Sequence, residues 1–138
     1  MLQTIIDNKH ILAGWMDGGK IFYYSWKGFV PSAEMKRLLE EILIHLETKR
    51  ASLMLQNLQH TQAVTAEFQE WYATSWLPRA CDRGLYRVAL LTPRSIFGQL
   101  AVNKVAEKFR LYNSAYVESA SFDDETQAIQ WLKYGEQV

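Results

Sequence analysis

A chain of 138 residues, 49% apolar and 22% charged, has the length and composition of one domain that can bury a core without staples. Its 15 Lys+Arg balance 15 Asp+Glu, and no long run of either sign occurs, which argues against a general electrostatic nucleic-acid binder. One cysteine, Cys81, excludes an internal disulfide framework; "MLQTIIDNKH" lacks the basic start and apolar core of a signal peptide, and no stretch approaches the roughly eighteen apolar residues of a membrane span.

These bounds predict a cytoplasmic domain covering 1–138. Along the chain, "TIIDN" and "ILAGWM" read as short strands with a turn at Asn8 and Lys9. "DGG" at 17–19 is a hairpin signal, because glycine accepts the positive φ of tight turns. "KIFYYSWKG" then alternates as a strand, with Phe22, Tyr24 and Trp26 on one face and Ile21, Tyr23 and Ser25 on the other. Met35, Leu38, Leu39, Ile42, Leu43 and Leu46 recur as one face of a helix, with Ser32 as its expected N-cap and charges on the outer side. "SLMLQN" is a buried strand. Helical spacing returns at Phe68, Trp71, Tyr72, Ser75 and Trp76, and Pro78 should bend or end that helix.

"YRVALLT" at 86–92 is a second apolar strand, and Thr92–Pro93 is a helix start. That helix should run to about Phe109 with Phe97, Leu100, Ala101 and Val105 inward. "SAYVESASF" is a last, weaker strand, and Asp123 or Asp124 should cap a final helix carrying Ala128, Ile129, Trp131 and Leu132. The order βββαβαβαβα implies a mixed sheet of about five or six strands flanked by about four helices, since a parallel portion needs helical crossovers.

Few residues suggest chemistry. His10, His45 and His60 have no second ligand at metal spacing, so no metal site is expected. "DGGK" lacks the spacing of a phosphate loop, and no G-x-S-x-G nucleophile elbow occurs. Cys81 lies between Arg79 and Arg83, which could lower a thiol pKa, although an inert, partly buried thiol is the commoner state. Phe68, Trp71, Tyr72 and Trp76 crowd one helix, either as core or as the lining of a pocket or interface. The polar loop after "SLMLQN" holds His60, Thr61, Gln62 and Thr65, at the sheet edge where open α/β folds usually bind. Thr65 fits an N-cap.

"WKGFVPSAEMKRLLE", "SLMLQN", "FQEWYATSWLPRA", "VALLTP" and the ending "SFDDETQAIQWL" together resemble small bacterial proteins, common in Bacteroidetes, described as STAS-like or CRAL-TRIO-related. The resemblance covers nearly the whole chain. It implies an α/β, mixed α+β, STAS-like domain similar to anti-sigma-factor antagonists, and no catalytic set or cofactor. Two departures stand out. Relatives often place Asp and then Arg after the strand, where this chain has Gln56, Asn57, Leu58 and Gln59. The antagonist pattern puts Asp before a phosphorylatable Ser or Thr, whereas Val64 precedes Thr65 here. A non-catalytic regulatory or protein-interaction module follows as the leading expectation, with no nucleic-acid partner and no integral membrane association. The alternative is a small-molecule or lipid-binding domain built on the helix from Phe68 to Trp76. A homodimer is also expected, from the number of large aromatics and the frequency of symmetric dimers.

Overall fold

The protein is described here by a computed structural model covering residues 2–61, 64–92, 100, 103, 107 and 117–135. The elements are β1 (Gln3–Asp7), β2 (Ile11–Met16), β3 (Ile21–Trp26), α1 (Ser32–Lys49), β4 (Leu53–Asn57), α2 (Ala66–Trp71), a π turn (Tyr72–Trp76), α3 (Leu77–Asp82), β5 (Arg87–Leu91), β6 (Glu118–Phe122) and α4 (Glu125–Tyr134). The six strands form one sheet in sequence order. β1, β2 and β3 are antiparallel neighbours, and β3 to β6 run parallel, as short turns and helical crossovers respectively require.

The β2–β3 turn is a short 3-10 turn at Asp17–Gly19, with φ of 53° at Asp17, 67° at Gly18 and 90° at Gly19, the positive values anticipated from "DGG". On the other side of β2, Gly14 lies against the β1 backbone. A Cβ there would collide with the Gln3 carbonyl, so the bulged β1–β2 pairing depends on the missing side chain.

Every residue of β3 is buried, and its alternation divides the core. Phe22, Tyr24 and Trp26 face Met35, Leu38, Leu39, Ile42 and Leu46 of α1, together with Phe68, Tyr72 and Trp76. Ile21 and Tyr23 belong to the opposite layer, with Leu55, Ala89, Leu91 and the Ala128, Trp131 and Leu132 face of α4.

One helix end differs from expectation. Ser32 is the first residue of α1 rather than its cap. Pro31 holds the N-cap position without a side-chain bond, and the Ser32 hydroxyl is turned instead toward Thr65. At Pro78, expected to bend or end its helix, the chain stays helical beyond a distorted turn. The Leu77 N–H reaches back to the Tyr72 carbonyl, widening one turn, and Pro78 then enters in the first turn of α3, where its missing N–H costs least. At the far end of α1, Arg50 adopts a left-handed conformation and Ala51 N–H returns to the Leu46 carbonyl at 3.0 Å, closing the helix. Most of the helix anticipated over 93–109, including Phe97, Ala101 and Val105, lies outside the described residues. Leu100 is described and is 52% exposed, not inward.

α4 is fastened at both ends. Asp124 accepts from Gln127 N–H at 3.1 Å, and Gly135 ends the helix at φ 76°. Arg87 reaches across from β5: its Nη1 donates to the Leu132 carbonyl at 3.1 Å and its Nε to Glu118 at 2.8 Å, while the guanidinium lies 5.8 Å from the Trp131 ring. Replacing Trp131 with Ala is expected to cost about 3–5 kcal/mol, read as a lower midpoint of denaturant unfolding. Gly135→Ala should also destabilise, because its Cβ would sit 2.6 Å from Arg87 Nη2 in a backbone conformation that disfavours alanine. An unchanged midpoint for Trp131→Ala would place the indole outside the core.

Candidate functional site

Parallel pairing of β3 with β4 brings Ser25 opposite Asn57, so the chain leaves both strands at the same edge. The two loops are then tied together. Gly28 N–H donates to the His60 carbonyl at 3.1 Å, and Gly28 and Thr61 form an isolated parallel bridge. Leu58 N–H is held by the Leu91 carbonyl at 3.1 Å, which links this edge to β5.

Asn57 organises the loop from its base. Its Oδ1 accepts from Gln59 N–H and its Nδ2 donates to the Tyr23 hydroxyl, both at 3.0 Å. Gln56 and Asn57 are thus strand residues, and Leu58 after them is buried. Thr65 is the N-cap of α2: its Oγ1 accepts from Phe68 N–H at 3.1 Å. The same oxygen lies 2.9 Å from Ser32 Oγ, joining the starts of α1 and α2. One turn further, Lys36 bonds Glu67 at 2.7 Å, which holds the Glu67 carboxyl below its usual pKa.

The anticipated loop residues separate accordingly. His60 is exposed. Thr61 was expected on the surface but is only 7% exposed, because the bridge to Gly28 draws it inward; its hydroxyl has no hydrogen-bond partner among the described residues. Gln62 lies outside the described residues. Thr65 is exposed, though its hydroxyl is engaged as above. Sequence reading missed Phe29, which is 64% exposed on the neighbouring loop between Gly28 and the buried Val30. "KGFVP" carries no periodicity that would tell an outward aromatic from an inward one.

The aromatic helix packs inward. Phe68, Tyr72 and Trp76 are buried, Tyr72 and Trp76 stack at 5.4 Å, and Trp76 Nε1 donates to the Leu39 carbonyl of α1 at 2.7 Å. Trp71 stays half-buried, with Lys36 and Arg79 near its ring at 5.7 and 6.0 Å. Inside this layer lies a polar group that the sequence did not announce: Gln56 Nε2 donates to the Tyr72 hydroxyl, and Tyr24, close enough for its phenol to feel Tyr72, is buried beside it. Burial raises both phenol pKa values well above the ordinary range, so both stay neutral.

Cys81 is not activated. Burial, then the Asp82 charge, pushes its thiol up to about 11. The flanking cations point elsewhere: Arg79 forks onto Glu40 and Arg83 bonds Glu47. Among the described residues, no group of three or more His, Cys, Asp or Glu could hold a metal, and no helix is long and apolar enough to cross a membrane.

No family model matches the chain, and no curated protein does. Among solved structures it is similar to an uncharacterized protein from the DUF3478 family of Shewanella loihica PV-4, with a SpoIIAA-like fold. The identity is 12%, 93% of this chain and 98% of that one are covered, and the TM-score is 0.56. The chain therefore has a SpoIIAA-like, STAS-like fold. At that identity the likeness concerns the fold alone.

Thr65→Ala should cost about 1 kcal/mol, measured by chemical denaturation, and Thr65→Asp should recover most of it, because aspartate caps as well. Equal losses in both variants would show that the Ser32 contact, not the cap, carries the effect. For Cys81, the folded protein should resist iodoacetamide at pH 8 and react only on unfolding, because the thiolate is scarce. The raised pKa also sets a sign. The neutral thiol's contribution is complete below the usual thiol value of 9.0 and is lost as pH climbs toward about 11, so stability should fall across that window. Labelling of the native protein at the rate of a free thiol would contradict the burial.

Proposed function

We propose that the chain is a non-catalytic regulatory module that recognises a protein partner across the edge formed by residues 27–32, 57–61, 64 and 65. The observation that carries this reading is Phe29. A large aromatic is exposed on a loop whose backbone is fixed to its neighbour by the Gly28–His60 hydrogen bond and the Gly28–Thr61 bridge. An aromatic on a loop already held in place loses little conformational freedom on docking, which is how interface anchors gain affinity. His60 stands on the joined loop as the exposed polar neighbour. The edge follows the C-terminal ends of parallel strands, the usual binding side of open α/β sheets. The STAS-like fold supports a module of this class without naming a pathway.

Thr65 serves this edge as a cap and needs no phosphate. Its hydroxyl is engaged with Phe68 N–H and Ser32, and Val64 stands where the antagonist pattern has Asp. Intact-mass analysis of protein from its native host checks this: a predominant species heavier by one phosphate, mapped to Thr65, would replace the cap reading with a phosphoswitch.

The second reading is a small-molecule or lipid-binding domain that uses the aromatic helix from Phe68 to Trp76. It is favoured by the polar group of Gln56, Tyr72 and Tyr24 set among aromatic rings beside the half-buried Trp71. Organic extraction followed by mass spectrometry distinguishes it, since a stoichiometric lipid or metabolite belongs only to this reading. Self-association is proposed alongside either; light scattering that gives a single 16.0 kDa species across micromolar concentrations would remove it.

The main proposal is tested with immobilised wild-type, Phe29→Ala and His60→Ala chains in extract of the native host, followed by titration of the purified captured protein. Phe29→Ala should weaken binding at least about tenfold with an unchanged melting temperature, the size expected of an aromatic anchor. Undiminished affinity in that variant would move the recognition surface away from this edge.

A further inference from the structure

We draw no further inference here: the strongest candidate, the open groove of about 500 Å³ between α1 and α3 with Ile44 on its rim, has Glu40 and Glu47 already paired with Arg79 and Arg83 across it, and nothing in the structure shows what covers it.

Discussion

Strand β3 is the constraint on which the other elements depend. It is buried on both faces and hydrogen-bonded along both edges, antiparallel to β2 and parallel to β4. A strand in that position has no polar face to offer water, and "IFYYSW" accordingly supplies large side chains to both layers. The change from antiparallel to parallel pairing at this strand also fixes where the loops emerge. Because β4 runs beside β3 in the same direction, residues 27–31 and 58–61 leave the sheet together, and the Gly28–Thr61 bridge extends the pairing past the strands themselves. The candidate edge is thus a consequence of strand direction before any of its side chains is considered.

The layer behind that edge contains an unusual mixture. Tyr24, Tyr72 and Gln56 place two hydroxyls and an amide inside packed aromatic rings, where an unpaired polar group would cost about 1–3 kcal/mol. The Gln56–Tyr72 bond offsets that cost for its two partners and fixes the orientation of the α2–α3 segment against β4. The π turn contributes to the same end. It admits Pro78 without breaking the helix, and it begins at Tyr72, which meets Gln56, and leads into the α3 residues that close the layer. Trp76 adds a second tie, from its indole N–H to the Leu39 carbonyl, so this helix is located against both the sheet and α1.

Much of this was legible from patterning. The two-residue alternation of 21–26, the apolar face of α1, the order of strands and helices and the caps at Thr65 and Asp124 all rest on periodicities or residue types with one strong local meaning. What escaped depends on contacts between distant segments. Ser32 looks like a cap after Pro31, and only the approach of α2 gives its hydroxyl another partner. Thr61 looks like a surface loop residue until Gly28 pairs with it. Arg79 and Arg83 flank Cys81 in sequence, but on the folded helix their guanidiniums reach Glu40 and Glu47 of α1, leaving burial to govern the thiol.

The same accounting of partners separates the edge into a frame and what the frame presents. Asn57 uses both ends of its amide, on Gln59 and Tyr23; Thr65 and Ser32 face each other; Lys36 holds Glu67. These groups stabilise the loops through bonds to one another. Phe29 and the imidazole of His60 stand outside that frame, on backbone the frame holds still. Val64, just before Thr65, packs against the hydrophobic layer beneath, and its carbonyl accepts from Gln69 Nε2 at 3.2 Å. Residues 57–61, 64 and 65 thus belong to the scaffold, and the neighbouring β3–α1 connection carries the exposed aromatic.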